Sequence, residues 1–158
     1  MRLDGSAKLG STSQWVEVPD LAQGKLTLSS LFLLKKDASP GATPASAGDS
    51  PSLRGAQALR RFERGESLYV QLFAYNPARD ASGAADLVTE TEIWRGGVKL
   101  ASTPSEAMEP GERGAPPVPH TRSIKLAPFE PGDYEVRVVV TDRRAGAMAS
   151  RRVGFTVE

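Results

Sequence analysis

The chain has 158 residues, no cysteine and a formal net charge of +1, from 20 basic against 19 acidic side chains. This length suits one domain, and the lack of cysteine excludes disulfides and thiolate chemistry. The balanced charge disfavours nucleic-acid binding, and no apolar run approaches the roughly 18 residues of a membrane helix. Residues 1–6 also lack the apolar segment of a signal peptide. We therefore expect one domain over residues 1–158, without a cofactor, a metal or membrane insertion.

Short segments of β-like pattern, separated by turn residues, make up the first half of the chain. We predict strands at residues 14–18, 26–34 and 66–76, and a brief return of the chain at residues 60–62. Residues 31–34 are apolar on both parities, which is typical of a strand covered on both faces. If the second face is not covered by this chain, we expect it to be an interface. Residues 37–57 are rich in Ala, Ser, Pro and Gly, and they predict a long mobile loop.

The second half continues the same pattern. Residues 87–95 alternate in polarity, Gly96-Gly97 predicts a two-residue hairpin turn, and residues 98–101 form the returning strand. Residues 103–120 are rich in Pro, Gly and Glu and predict a second long mobile loop. A short strand is expected around residues 124–126.

The end of the chain carries the clearest pattern. Pro131-Gly132-Asp133-Tyr134 predicts a tight turn that opens into a strand through Asp142, with Tyr134 and three valines on one face. A turn at residues 142–146 and a strand through residues 153–157 close a hairpin, and the parity of Arg151 predicts a bulge or strand start there. We predict that the Tyr134 hydroxyl binds a backbone group a few residues upstream, as in the tyrosine corner of immunoglobulin-like domains.

About eight strands, two long loops and no helix longer than a turn define the predicted fold class. Short strands with regular turn signals favour a sandwich or a barrel. We therefore predict an all-β fold, an immunoglobulin-like or fibronectin-like β-sandwich of about 7–9 antiparallel strands.

Several segments resemble one protein family. Trp-Val-Glu-Val-Pro-Asp-Leu at residues 15–21 and Leu-Ser-Ser-Leu-Phe-Leu at residues 28–33 are similar to the C-terminal region of acidobacterial proteins related to the von Willebrand factor A (VWFA) domain. Arg61-Phe62, residues 72–76 and residues 131–134 fit the same pattern in order. The resemblance implies a β-sandwich segment of a larger exported bacterial protein, secreted, periplasmic or on the cell surface.

The metal site of that family is not carried over by the resemblance. The family's adhesion site uses an Asp-x-Ser-x-Ser signature in an upstream domain. Residues 80–84 and residues 49–52 are the nearest approximations in this chain, and both lack that signature.

Aromatic side chains form the candidate ligand or partner surface. Tyr69, Phe73 and Tyr75 share the parity opposite the apolar face of their strand, and Trp94 lies in a later strand. Exposed rings on a flat sheet could stack on sugars or anchor a partner protein. The favoured interpretation is that these rings are core residues, with Trp94 as the buried tryptophan at the centre of the sandwich.

Candidates for catalysis are few. His120 is the only histidine, and no Gly-x-Ser-x-Gly nucleophile motif accompanies it. Glu90 and Glu92 share a strand face about 7 Å apart, which could serve as a carboxylate pair, although a solvent-facing polar stripe is the favoured interpretation. A small hydrolase using Glu90, Glu92 or His120 would require a concave pocket joining at least two of them.

Three pairs of adjacent arginines could form a basic patch if folding gathers them. Pairs at residues 60–61, 143–144 and 151–152 are interpreted as turn and edge-strand residues. The sequence therefore predicts a non-catalytic structural or protein-interaction module, not an enzyme, whose partners are neighbouring domains or other proteins. The alternative is a carbohydrate-binding sandwich using its surface aromatics.

Overall fold

The computed structural model describes residues 21, 24–35, 60–109 and 117–158. Ten β-strands in two sheets make up the regular structure of this part, confirming the predicted all-β class. The predicted strand at residues 14–18 and the predicted loop at residues 37–57 lie outside the described residues. The strands are β1 Thr27–Leu28, β2 Phe32–Lys35, β3 Arg61–Phe62, β4 Ser67–Tyr75, β5 Leu87–Arg95, β6 Val98–Ser102, β7 Glu106–Ala107, β8 Val118–Lys125, β9 Gly132–Asp142 and β10 Ala147–Val157.

The four-stranded sheet is built around β4. Strand β8 runs antiparallel along one side of β4, so β1 and β2 share its other side. The single strand predicted at residues 26–34 is divided into these two pieces. Ser29 explains the break, because its backbone N–H donates to the Phe73 carbonyl at 2.9 Å and its hydroxyl accepts from the Phe73 N–H at 3.0 Å. A side chain there replaces one rung of the ladder.

The predicted loop at residues 103–120 contains strand residues at both ends. Strand β7 pairs with β5 through Val88 and Thr89, and β8 already begins at Val118. Pro119 lies within β8, opposite Phe73. A proline is tolerated there because, among the described residues, β8 pairs with β4 alone and has no ladder on its other side.

The six-stranded sheet has the order β3–β10–β9–β5–β6, with β7 also paired to β5. Strands β9 and β10 pair over their whole length without a register shift, and β10 begins at Ala147, so the bulge or strand start predicted near Arg151 was wrong. Arg151 faces the same side as Val138, and its guanidinium donates to the Ser150 carbonyl at 3.3 Å. A long arginine side chain can bury its aliphatic part and keep its guanidinium in water, so Arg151 can occupy an inward position without a bulge. Strand β3 is parallel to β10, unlike the expected antiparallel arrangement.

Both sheets contribute side chains to one hydrophobic core. Alternate residues of β4 face inward from the four-stranded sheet, and alternate residues of β5, β9 and β10 face inward from the six-stranded sheet. The inward positions of the longest strands are Leu68, Val70, Leu72 and Ala74, then Tyr134, Val136, Val138 and Val140, and then Phe155 and Val157. The period-2 patterns read from the sequence therefore mark the core correctly in these strands.

Tyr134 closes one end of this core. Its hydroxyl donates to the Glu130 carbonyl at 2.6 Å, which confirms the predicted bond to the upstream backbone. Its ring stacks on Phe155 with a centroid distance of 5.6 Å, and the Arg95 guanidinium lies 5.1 Å from the ring centroid on one face. Gly132 precedes it with φ 144°, where a Cβ would lie 2.6 Å from the Arg95 Nη2.

The two hairpin turns also follow their sequence signals. Gly96 and Gly97 both have positive φ, 55° and 80°, as the predicted two-residue turn requires. At the other hairpin the buried Asp142 carboxylate accepts three backbone hydrogen bonds, from Ala78 at 2.6 Å, Arg144 at 3.0 Å and Ala145 at 3.1 Å. Asp142 thereby joins the turn of β9 and β10 to the segment after β4.

Candidate functional site

The four aromatic side chains singled out in the sequence lie on two different outer faces. Tyr69, Phe73 and Tyr75 are half-buried on the outward side of β4, opposite its core residues. Trp94 is half-buried on the outward side of β5, because Ile93 takes the neighbouring inward position. Trp94 is therefore not the buried tryptophan predicted at the centre of the sandwich, and the β4 rings do not belong to the hydrophobic core between the sheets. The structure brings the β4 rings together in one row and leaves Trp94 apart from them.

The outer face of the four-stranded sheet is partly covered. Leu33 belongs to the core, while Leu34, on the opposite parity, is only 6% exposed and Gln71 only 3%. Phe32 beside them is 38% exposed. The Gln71 amide nitrogen donates to Thr121 at 3.3 Å, but the buried amide oxygen has no hydrogen-bond partner in the described part of the chain. The apolar run at residues 31–34 is thus buried on both parities and exposed at one ring.

Trp94 borders a concavity of about 830 Å³ on the outer face of the six-stranded sheet. Strands β5, β9 and β10 build it, since outward residues of adjacent strands lie side by side. We call it the Trp94 surface. Its lining residues are Trp94, Gly97, Glu135, Arg137, Ser150, Arg151 and Arg152.

Glu92 fixes the orientation of Trp94. The indole Nε1 donates to Glu92 Oε2 at 2.9 Å, and Lys99 donates to Glu92 Oε1 at 3.1 Å. Burial opposes ionisation of Glu92, yet these hydrogen bonds, with Lys99 and Arg137 nearby, outweigh it and hold the pKa of Glu92 below its usual range. Glu92 is therefore a stable carboxylate with both oxygens engaged, which is suited to holding a ring and unsuited to donating a proton.

Two arginines face each other beside Trp94. Arg137 and Arg152 are register partners on β9 and β10, with both side chains on the outer face. Their nearest carboxylate oxygens are 3.9 Å away on Glu92 and 3.8 Å away on Glu135, beyond hydrogen-bond distance. From the sequence alone, the arginine pair at residues 151–152 is interpreted as charged turn or edge-strand residues. The outward parity of Arg137 was the signal that could have linked it to Arg152.

The three candidates for catalysis are not gathered around either concavity. Glu90 and Glu92 share the outer face as predicted, but Glu90 accepts a hydrogen bond from the Ser102 hydroxyl. His120 faces inward from β8, in the other sheet. Neither the Trp94 surface nor a second groove of about 490 Å³, between β5, β6 and the end of β8, is lined by any of the three.

His120 occupies a polar corner at the rim of the core. Its Nε2 is buried without a hydrogen-bond partner among the residues that the structure describes. Burial and then Arg122 lower the pKa of His120, and Glu106 opposes them. Arg122 of β8 pairs with Glu106 of β7, so an ion pair links the two sheets next to this imidazole. A neutral histidine here acts as a packed side chain.

In the part of the chain that the structure describes, no three His, Asp or Glu side chains converge in a way that could hold a metal ion. That part also has no helix with the length and apolar character needed to cross a membrane.

Comparisons with known proteins identify no family for this chain. No family model matches the chain, and no curated protein matches it. One similar solved structure is a β-glucosidase involved in saponin metabolism from intestinal bacteria, with 15% identity, a TM-score of 0.43, and coverage of 85% of this chain and 16% of that one. Another is the alkylpurine DNA glycosylase AlkC of Pseudomonas fluorescens bound to DNA containing an abasic site analogue, with 14% identity, a TM-score of 0.41, and coverage of 84% and 30%. The chain spans less than a third of either protein.

Proposed function

We propose that this chain is an immunoglobulin-like β-sandwich that acts as a non-catalytic protein-interaction module through its Trp94 surface. The strand order supports the sandwich. Strands β4 and β8, with β1 and β2, form one sheet, and β10, β9, β5 and β6 form the other. This is the division of strands between the two sheets of immunoglobulin-type sandwiches.

Tyr134 gives the immunoglobulin-like assignment a second support. It lies near the start of β9, after the connection from β8 in the opposite sheet, and binds the backbone four residues upstream. A tyrosine corner has this placement and this bond.

One observation carries the interaction role: a half-exposed Trp94 is fixed by Glu92 at the border of an arginine-lined concavity. Tryptophan and arginine are the side chains most enriched among the residues that dominate binding at protein interfaces. A ring already held in place loses little conformational entropy when a partner covers it. The surface is thus prepared for contact with another protein domain.

The family resemblance supplies the proposed biological setting. A segment similar to the C-terminal region of VWFA-related proteins would belong to a larger exported bacterial protein. In that setting the module would dock a neighbouring domain or another exported protein.

A photo-crosslinking experiment in the native host tests the interaction role. The full-length protein would carry a photoreactive amino acid at Ser150, which lines the Trp94 surface, or at Ser123, an exposed control on β8. We expect a discrete protein adduct from position 150 that is lost on Trp94→Ala, and no such adduct from position 123. The same adducts from both positions, or adducts indifferent to Trp94→Ala, would contradict the proposal.

A carbohydrate-binding module is the second candidate, favoured by the row of Tyr69, Phe73 and Tyr75 along one outer face. Aromatic rings in a row can stack on successive sugars. Trp94 would take no part, because it lies on the other sheet. Titration with an oligosaccharide panel tests this role: binding lost on Tyr69→Ala and Tyr75→Ala but kept on Trp94→Ala would replace the protein-interaction proposal.

A further inference from the structure

We infer that the Trp94 surface recognises a carboxylate of an acidic, aromatic-containing segment of a partner protein, held between Arg137 and Arg152. This inference rests on the proposed protein-interaction function and names the chemistry of the partner.

The first argument is the placement of two like charges. Arg137 and Arg152 are directly opposite on adjacent antiparallel strands, where Cβ atoms lie about 4.5–5.5 Å apart and like charges are destabilising. Many neutral polar residues would satisfy an outward sheet position without this repulsion. Glu92 is opposite Arg137 on its other side and Glu135 lies near Arg152, but these carboxylates are 3.9 Å and 3.8 Å away and leave the two arginines side by side. A like-charge pair kept at an exposed position is a mark of a functional site.

The second argument is the free donor capacity of the pair. The two side chains are 43% and 75% exposed, and neither guanidinium donates a hydrogen bond to any residue that the structure describes. Each guanidinium offers five N–H donors in a planar fork that fits a carboxylate bidentately. An incoming carboxylate would relieve the repulsion and gain charge-assisted hydrogen bonds from both sides.

The third argument is the balance of charge and the position of the ring. Two outward-facing arginines, Arg137 and Arg152, and one glutamate, Glu135, line the concavity, so its field favours an anion. The existing contacts of Glu92 and Glu135 with the arginines are long and easily exchanged. Trp94 borders the same concavity, so an apolar or aromatic neighbour of the carboxylate can pack on the indole.

Calorimetric titration of the whole chain tests the inference with a capped hexapeptide of alternating glutamate and phenylalanine. The comparison peptide carries glutamine in place of glutamate. We expect the acidic peptide to bind at least about tenfold more tightly, and Arg137→Gln or Arg152→Gln to weaken it about tenfold each. Arg143→Gln, the same charge change in an exposed turn residue outside the Trp94 surface, should leave the affinity unchanged.

Several results would overturn the inference. They are equal affinity for both peptides, absence of binding by the acidic peptide, or equal losses in the Arg143→Gln control. Binding of a sulfated oligosaccharide through Arg137 and Arg152, without binding of the acidic peptide, would assign the pair to a glycan instead. If the Ser150 photo-adduct survives Arg137→Gln and Arg152→Gln, the interaction role stands and the carboxylate inference fails.

Discussion

At the residue scale, Tyr134 shows how one side chain joins several parts of the fold. Its hydroxyl donates to the Glu130 carbonyl and accepts from Arg95 at 3.2 Å, while its ring packs between Phe129 and Phe155. The turn residues and the parity of the following strand were enough to predict the bond to the backbone. The Arg95 contacts could not be predicted, because Arg95 arrives from β5, about forty residues upstream, and only the tertiary fold brings it there.

Tyr134→Phe tests the corner bond. The substitution keeps the ring and removes the hydroxyl, so we expect the free energy of unfolding to fall by about 1 kcal/mol, as for a typical hydrogen bond. Urea unfolding would measure it. Tyr75→Phe is the matched control, since this half-buried tyrosine on the outer face makes no hydrogen bond through its hydroxyl to any described residue. Unchanged stability of Tyr134→Phe would refute the corner as a stabilising bond.

At the element scale, strands with a strict period-2 pattern were predicted with nearly correct bounds. Strand β5 has the predicted bounds, and β4 differs by one residue at each end. The predicted strand bounds failed at three residues whose type does not fit the expected strand pattern. Ser29 interrupts the first predicted strand, Pro119 lies inside β8 although proline predicted a loop, and Arg151 faces inward without a bulge. For Ser29 and Pro119 the outcome depends on pairing with β4, and for Arg151 it depends on the length of the side chain.

At this scale we predict that Asp142 stabilises the fold, because its carboxylate binds both the turn between β9 and β10 and the segment after β4. Asp142→Asn keeps one acceptor oxygen but places an NH₂ group against a backbone N–H, such as that of Ala78. We expect a loss of about 1–3 kcal/mol, the cost of unsatisfied buried polar groups. Thermal unfolding would measure the loss. Asp133→Asn, the same change at an exposed position of β9, should have little effect on stability. Equal losses of stability for the two substitutions would contradict the proposed role of the Asp142 carboxylate in holding the two segments together.

At the scale of the whole molecule, His120 makes the stability of the fold depend on pH at a place where the two sheets meet. Arg122 and Glu106 are the charged groups that act on the imidazole, and they form an ion pair between β8 and β7. Because the folded-state pKa of His120 lies below its ordinary value of 6.5, the unfolded chain takes up a proton first as the pH falls. Stability is therefore retained above that value and is lost as the pH falls through it toward the folded-state pKa.

Urea unfolding between about pH 7.5 and about pH 5.5, a range in which histidine is the titrating side chain, tests this link. We expect the free energy of unfolding to decrease toward the acidic end, and His120→Gln, which keeps polarity but does not titrate, to flatten the dependence. An equally steep dependence in His120→Gln would show that other groups cause it.

The sequence by itself determined the all-β class, the inward faces of the long strands, both hairpin turns and the tyrosine bond. These features depend on local periodicity and backbone geometry, which act over a few residues. Only the tertiary structure decided that Trp94 and the β4 rings lie on different sheets, and that Arg137 meets Arg152. Those outcomes depend on strand register, because pairing two distant segments chooses which side chains become neighbours, and no local pattern contains that choice.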